Sequence, residues 1–242
     1  MTEIGKAAQA YQDIERMVVF GEIAPGSLVS ESFLMEQTGL GRTPVREALQ
    51  RLSRNRMVEI HPNKGVLIPS TSVEAQLRML ELRRVLESLA VRLACERAVA
   101  ADRVGMEAMV ERLENGGFDL KGYAETVRGT HDLIVAGAHN EYLADAMAPL
   151  QGLSRRFWFT HVTDVDTEIK AGATLHVAIL RAILGREPDA AEAAALDQND
   201  SLVDFSSATL GPHGRRRCAP DFCRRCGGER RTARAADSAA TK

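Results

Sequence analysis

The sequence predicts a mainly α-helical protein, in which an N-terminal winged helix-turn-helix is followed by an all-α helical bundle. An amphipathic, arginine-rich helix over residues 42–53, followed by two short β-rich runs, predicts the winged motif. After Pro69, apolar residues recur at helical spacing and strand signals are nearly absent, which predicts the bundle. A chain of 242 residues, 45% of them apolar, is long enough to bury two cores.

The first helix of the helix-turn-helix is predicted over residues 30–38. Ser30 is a suitable N-cap, because its hydroxyl can accept a hydrogen bond from a backbone N–H in the first turn. Phe33 and Leu34 are expected to face inward. The glycine-containing segment 38–41 then predicts a compact turn into the second helix.

The second helix has the properties of a helix that reads DNA. Thr43 is expected to cap its start, and Pro44 fits the first turn, where its missing N–H costs little. An apolar stripe is predicted to be buried and consists of Val45, Leu49 and Leu52. The remaining faces are basic and carry Arg42, Arg46, Arg51, Arg54 and Arg56. Arginine content alone is equally typical of a solvated surface helix, so the interpretation depends on the neighbouring elements.

The predicted wing follows this helix. Residues 57–60 and 65–68 are short β-rich runs, and the turn-forming segment between them places Lys64 at a hairpin tip. A basic tip beside a recognition helix suits contact with phosphates or with the minor groove. Helix, turn, helix and wing together predict double-stranded DNA as a partner.

The segment 14–69 resembles the N-terminal domain of GntR-family bacterial transcription regulators. Its run Gly41-Arg-Thr-Pro-Val-Arg-Glu-Ala-Leu49 matches the family signature nearly residue for residue, with glycine in place of serine. The resemblance implies that Arg42, Arg46 and Gly65 contact operator DNA. With the candidates from the helix start and the wing, the predicted DNA-binding set is Arg42, Thr43, Arg46, Lys64 and Gly65. The chain departs from the family at Asn55-Arg56, where an acidic residue and glycine are usual, and we expect little effect on the helix end.

The net charge of −2 does not argue against DNA binding, because the basic residues are clustered. Residues 1–72 carry eight basic and eight acidic side chains, but five arginines fall within residues 42–56. DNA affinity is therefore expected to depend on a local patch, and a homodimer would present two such patches.

A polar break at residues 69–72 separates the winged motif from the predicted bundle. Helices are predicted over 73–100, 121–138, 141–161, 168–184 and 188–210. This region resembles the FCD effector domain of the FadR-type subfamily through Leu82-Arg-Arg-Val-Leu-Glu87, His131 with Asn140, Leu153-Ser-Arg-Arg156, and Leu175-His176. The predicted domains are 8–72 for DNA binding, 73–210 for effector binding and dimerisation, and 211–242 as a basic tail.

Many FCD domains bind a divalent metal, and the resemblance places the ligand positions at Val127, His131, His176 and Gln198. Valine cannot bind a metal, so the site would have two imidazoles and a weak amide ligand. One interpretation is a zinc, nickel or manganese ion whose coordination is completed by water or an effector carboxylate. The other is a polar pocket that hydrogen-bonds an organic acid and requires no cofactor, and we favour it.

The predicted effector is a small carboxylate, since the guanidinium fork matches a carboxylate and the bundle offers two candidate arginines. For either arginine, an interhelical ion pair is the alternative role. The predicted effector-binding set is Arg83, His131, Arg156, His176 and Gln198.

The C-terminal segment 211–242 holds nine basic and three acidic residues, a net charge of +6, so the rest of the chain carries −8. Its three cysteines and one histidine allow a zinc-knuckle hypothesis, but the spacing is loose and core-forming residues are scarce. We favour a disordered basic extension. The residues in question are His213, Cys218, Cys223 and Cys226.

Two classes of function follow. The first is a ligand-responsive transcription regulator that binds a palindromic operator as a homodimer. The second is a metal-dependent enzyme centred on His131 and His176. We favour the first, because the chain offers no activated nucleophile motif and no complete ligand set. No apolar run reaches the ~18 residues of a membrane span, and the N-terminus lacks an apolar signal core, so we expect a cytoplasmic protein.

Overall fold

A computed structural model describes residues 5–210, and it confirms the predicted fold class: helices dominate, with one small sheet. The described helices are α1 (Lys6–Val19), α2 (Glu31–Thr38), α3 (Arg42–Arg54), α4 (Val73–Arg97), α5 (Ala100–Asn115), α6 (Leu120–Gly137), α7 (Glu141–His161), α8 (Val165–Gly185) and α9 (Pro188–Ala208). The strands are β1 (Leu28–Val29), β2 (Glu59–His61) and β3 (Gly65–Leu67). No helix within 5–210 combines the length and the apolar character that crossing a membrane requires.

Helix α2 begins as the sequence predicts. The Ser30 hydroxyl accepts from the Phe33 N–H at 3.1 Å, and Gly39 ends the helix in the left-handed conformation, with φ 66°. Leu34 is fully buried, but Phe33 is 37% exposed, so the prediction that Phe33 faces inward is wrong. Adjacent helical residues point about 100° apart, and the buried face of this short helix is occupied by Leu34 alone.

Helix α3 buries the predicted apolar stripe, since Val45, Leu49 and Leu52 are all at most 1% exposed. The predicted cap at Thr43 is wrong. The helix already begins at Arg42, with Gly41 in the N-cap position and no side-chain cap. Thr43 therefore lies inside the first turn, where its hydroxyl cannot reach the N–H groups that a cap binds.

Helix α3 ends in a turn that an arginine closes in place of the usual glycine. Arg56 has φ 59°, in the left-handed region, and the Met57 N–H donates to the Leu52 carbonyl at 2.9 Å. This is the hydrogen bond that closes a Schellman-type helix end. The expectation that the helix closes without glycine is met, but an L-residue in this conformation is strained.

The three strands form an antiparallel sheet in the order β1-β3-β2, in which β2 and β3 are the predicted wing. Strand β1 was not predicted, because two residues give no alternating pattern. Gly65 opens β3 with φ 120°, and a Cβ atom there would overlap the Val29 carbonyl of β1. The packing of the wing against β1 therefore requires glycine at this position, whatever its part in DNA binding.

The bundle contains the five predicted helices and a sixth, α5, for which the sequence gives no clear helical pattern. Helix α8 begins at Val165, three residues earlier than predicted, because the Asp164 carboxylate caps it by accepting from the Thr167 N–H at 3.2 Å. The bundle has a core of its own, to which all six helices from α4 to α9 contribute buried residues.

Helix α7 joins the bundle to the winged motif. At Gly152, a Cβ atom would lie 2.7 Å from Glu15 Oε1 of α1 and 2.7 Å from the Met57 methyl group, so a larger residue here would require the ends of these two side chains to move. Four residues further along α7, the Arg156 guanidinium donates to the Pro69 carbonyl in the connecting segment. Helix α7 thus contacts the first helix of the chain and the segment between the two cores.

Candidate functional site

The first candidate site is the exposed side of α3. Arg42, Thr43 and Arg46 are exposed in its first two turns, while the opposite face is buried in the core. Arg46 Nε donates to Glu31 Oε2 of α2 at 2.8 Å. Lys64 is exposed in the turn of the wing. The structure therefore presents all three side chains of the helix start, and the wing lysine, to solvent.

The second candidate site is a cavity of about 70 Å³ inside the bundle. It is lined by side chains from α4, α6, α7, α8 and α9. Five positions singled out in the sequence meet there: Arg83, Val127, His131, His176 and Gln198. Arg156 does not line this cavity, because its guanidinium is directed to the Pro69 carbonyl.

The two cavity histidines are buried and neutral. His176 Nδ1 lies 2.7 Å from the Gly172 carbonyl, which can only accept, so Nδ1 carries the proton and Nε2 has a free lone pair. Burial lowers the pKa of His176 to about 4, and burial followed by the charge of Arg83 lowers the pKa of His131 well below its ordinary value. At neutral pH the cavity therefore contains two uncharged imidazoles.

Gln198 completes this polar group. Its side-chain amide nitrogen lies 2.7 Å from His176 Nε2, while His131 Nε2 lies 3.4 Å from the same atom. A neutral imidazole lone pair must face a donor, so the amide N–H of Gln198 donates to His176. His131 Nδ1 is buried and has no hydrogen-bond partner within residues 5–210.

These residues do not fit a divalent metal. Val127 presents hydrocarbon where the resemblance implies a carboxylate, and Gln198 donates to the lone pair of His176 that a metal would need. Residues 5–210 contain no group of three His, Cys, Asp or Glu side chains arranged to hold a metal ion. Two imidazoles without a carboxylate are a weak ligand set.

Two arginines line the cavity, and they differ in how their charge is balanced. Arg83 is 1% exposed and its Nε donates to Glu87 Oε1 at 2.9 Å, so a buried carboxylate one turn away neutralises it. Arg155 is half-buried, and within the described chain no carboxylate lies within the 4.0 Å of an ion pair. Burial lowers the pKa of Arg155, while the charge of Glu15 raises it.

The arginine of α7 that lines the cavity is Arg155, so the prediction of its neighbour Arg156 as an effector-binding residue is wrong. A helical wheel of α7 contains the signal, because Arg155 lies three residues before Trp158, which also lines the cavity. Arg156 lies about 100° further round the helix. Burial lowers the pKa of Arg156 to about 10, in keeping with its position between the two cores.

One wall of the cavity is aromatic. The rings of Tyr123 and Trp158 have centroids 5.5 Å apart, and burial raises the pKa of Tyr123. A Cβ atom at Gly172 would overlap the Tyr123 hydroxyl, so α8 needs glycine where it passes this ring. The cavity thus combines an aromatic wall, two neutral imidazoles, an amide, the guanidinium groups of Arg83 and Arg155, and the carboxyl group of Glu168. Small organic ligands are commonly bound by such a mixture.

The zinc-knuckle hypothesis for the C-terminal segment concerns residues that the structure does not describe. His213, Cys218, Cys223 and Cys226 lie outside the described residues.

Family models match both parts of the chain. The model described as "Bacterial regulatory proteins, gntR family" matches residues 6–68, and the model of the FCD domain matches residues 78–198. The first contains α1 to α3 and the sheet, and the second contains most of the bundle and its cavity.

The similar proteins are transcription regulators. An HTH-type transcriptional regulator in the TAR-I ttuE-ttuC' intergenic region of Agrobacterium vitis is 34% identical over 145 residues, which cover 57% of this chain and 84% of that protein. The galactonate operon transcriptional repressor of Escherichia coli K12 is 24% identical over 205 residues, covering 75% of this chain and 88% of the repressor. The structure of E. coli McbR/YncC has a TM-score of 0.73 at 19% identity, covering 86% of this chain and all of that one, and so shares the fold.

Proposed function

The chain belongs to the GntR family of bacterial regulatory proteins and carries an FCD domain, and we propose that it binds a palindromic operator as a homodimer and senses a small organic acid. Its family and relatives make it a DNA-binding transcription regulator and not an enzyme. We further propose that residues 8–72 bind DNA, that residues 73–210 bind the effector, and that the protein acts in the cytoplasm.

The single observation that carries DNA recognition is the distribution of side chains around α3. Arg42 and Arg46 are exposed at its N-terminal end, and the opposite face is anchored in the core. A recognition helix enters the major groove with its N-terminal residues towards the base edges, and arginine is the usual partner of guanine. Thr43, Lys64 and the backbone at Gly65 are proposed to contact the phosphates.

An exposed apolar stripe on α4 supports the homodimer. Leu82, Val85 and Leu89 are 51%, 65% and 44% exposed, and they recur at the spacing of one helix face. We assign this stripe to a second copy of the chain, because a two-fold dimer pairs the same surface on both subunits and doubles the phosphate contacts.

The cavity supports recognition of an organic acid. It is buried and small, and two arginines, Arg83 and Arg155, line it together with one acid, Glu168. Its neutral imidazoles and amide can hydrogen-bond a ligand without adding further charge. A carboxylate is the anion that a guanidinium fork binds in a bidentate manner. The proposed effector-binding residues are Arg83, His131, His176 and Gln198.

The DNA-binding part is tested with an operator selected from random-sequence DNA. Arg46→Ala should weaken binding to that operator by roughly 1–3 kcal/mol and relax sequence preference at one position in each half-site. Arg54→Ala, an exposed arginine at the far end of α3, is the matched control and should weaken binding to all sequences by a smaller amount. Unchanged sequence-specific binding by Arg46→Ala would overturn the assignment of α3 as the reading helix.

The dimer is tested by sedimentation. Val85→Glu places a charge in the middle of the α4 stripe and should convert the dimer to monomer. Val104→Glu, at an equally exposed valine on α5, is the control and should leave the dimer intact. A wild-type chain that sediments as a monomer contradicts the proposal.

A further inference from the structure

Arg155 lies between the effector cavity and a second space at the junction with the winged motif. On one side it lines the cavity together with Ser154 and Trp158. On the other side it lines a small crevice between α1, α6 and α7, which we call the α1–α7 crevice. The residues that line this crevice are Glu15, Arg16, Val19, Phe20, Ala124, Glu125, Arg128 and Arg155. Among the side chains that line either space, only Arg155 and Ala124 line both.

The charge of Arg155 is available to a ligand in a way that the charge of Arg83 is not. Glu87 already accepts from Arg83 and neutralises it. Arg155 has only longer-range partners, of which Glu15 is the one that most favours its charged form. An anion that enters the cavity therefore meets a guanidinium that no other group of the described chain holds directly.

Glu15 depends on Arg155 in return. It is 7% exposed, because α7 passes directly over it at Gly152. Burial raises the pKa of this carboxyl, and the guanidinium of Arg155, followed by that of Arg128, opposes that shift. A buried carboxylate that loses its nearby positive charge is destabilised.

We propose that Arg155 binds the carboxylate of the effector and that the effector thereby competes with Glu15 for the same guanidinium. This inference deepens the proposed function and rests on it. A bound acid forms an ion pair with the Arg155 guanidinium on the cavity side. The buried Glu15 carboxylate then loses the positive charge that stabilises it. The α1–α7 junction is weakened, and the winged motif is released from the position that the unliganded chain fixes.

Thermodynamic linkage makes this coupling reciprocal. If the effector weakens the longer-range electrostatic interaction of Glu15 with Arg155, then removing the charge of Glu15 must strengthen binding of the effector by the same factor. A residue that merely completes the cavity wall does not produce this relationship with a side chain in the other domain.

The first experiment identifies a probe and tests the carboxylate contact. Thermal unfolding of the full chain is measured with formate, acetate, L-lactate, succinate and citrate, each compared with its carboxamide, and the acid with the largest stabilisation becomes the probe. Arg155→Gln should weaken its binding by about tenfold or more, and Arg155→Lys should retain part of it. Arg128→Gln is the matched control, since Arg128 lines the crevice but not the cavity, and it should leave acid binding within about twofold.

The second experiment tests the competition. In the otherwise wild-type chain, Glu15→Gln should strengthen binding of the same probe about fivefold or more. In a chain that already carries Arg155→Gln, it should leave the affinity for the probe unchanged. An unchanged affinity in Glu15→Gln overturns the competition, and an Arg155→Gln variant that binds the acid as well as wild type overturns the contact. Unfolding of each variant without ligand confirms that it is folded.

The outcomes separate this inference from the proposed function. If no acid in the series stabilises the wild-type chain, the proposal of acid sensing fails. The Arg155–Glu15 coupling is then still measured by the double-mutant cycle in unfolding free energy, and additive effects of Glu15→Gln and Arg155→Gln overturn it. If an acid binds with equal affinity to all four variants of the cycle, acid sensing stands and the inference fails.

Discussion

Arg46 Nε donates to Glu31 Oε2 at 2.8 Å, and this ion pair joins the first two turns of α3 to the first turn of α2. The side chains are 58% and 33% exposed, so solvent screens the pair and it contributes at most about 1 kcal/mol to stability. Its importance is for binding. If Arg46 reads a base as proposed, we expect its guanidinium to leave Glu31 on binding, and we expect Glu31 to add a negative charge close to the phosphates.

We predict that Glu31→Gln strengthens DNA binding by about two- to tenfold at low salt, because it removes both the competitor for Arg46 and one repulsive charge. Glu36→Gln, an exposed acid on the same helix, is the control and should have a smaller effect. The measurement is a salt titration of operator affinity. Weaker binding by Glu31→Gln would mean that Glu31 holds Arg46 in its reading position.

The left-handed conformation of Arg56 gives a second prediction. Arg56→Gly should stabilise the chain by about 1 kcal/mol, because glycine adopts φ 59° without a Cβ penalty. Arg54→Gly removes the same charge from a helical position two residues earlier and should cost about 1 kcal/mol. Urea unfolding of both variants compares them, and equal effects would show that charge, and not backbone strain, determines the result.

The main elements of the winged motif were predictable because their signals are local. The stripe of Val45, Leu49 and Leu52 and the cap at Ser30 depend on short-range spacing and hydrogen bonding, and both occur as predicted. Helix α5 was missed because only three of its sixteen residues are buried, which gives a weak apolar pattern. Strand β1 is defined by its hydrogen bonds to β3, and its own two residues give no local pattern that predicts this pairing.

The ligand positions in the cavity allow a gain-of-function test. Val127→Asp with Gln198→His supplies a carboxylate and a third imidazole beside His131 and His176. We predict that this double variant binds one zinc, nickel or manganese ion per chain, and that its thermal stability becomes sensitive to a chelator. Val127→Asp alone is the control and should bind less tightly. Stoichiometric metal in the wild-type chain, measured by elemental analysis, would contradict the assignment of a metal-free cavity.

The contact of Gly172 with the Tyr123 hydroxyl gives a prediction about packing. Gly172→Ala should destabilise the chain by about 1–3 kcal/mol, because the new methyl group overlaps that hydroxyl. Tyr123→Phe removes the obstacle, so the double variant should recover most of the loss. If the losses of unfolding free energy from Gly172→Ala and Tyr123→Phe are additive in the double variant, the overlap with the Tyr123 hydroxyl is not the cause of the destabilisation.

The candidate site was less predictable than the fold. Sequence positions identified four polar residues of the cavity, because Arg83, His131, His176 and Gln198 match a family pattern. They did not show that Glu87 neutralises Arg83 or that Gln198 donates to His176, since those facts depend on side-chain direction. Whether Arg155 or Arg156 lines the cavity depends on how α7 is rotated about its axis, and a sequence motif does not specify that rotation.

The close approach at Gly152 has a consequence for exchanging parts between related regulators. Glu15 belongs to the N-terminal part of the chain, while Gly152 and Arg155 belong to the C-terminal part. Even so, α7 passes close to Glu15 at Gly152, and Glu15 and Arg155 line the same crevice. A chimaera that joins a foreign winged motif to this bundle at residues 69–72 would preserve both cores and still separate these partners. If the proposed competition between the effector and Glu15 operates, such a hybrid should fold and bind DNA but lose its response to the acid, unless the foreign winged motif carries a glutamate at the position of Glu15.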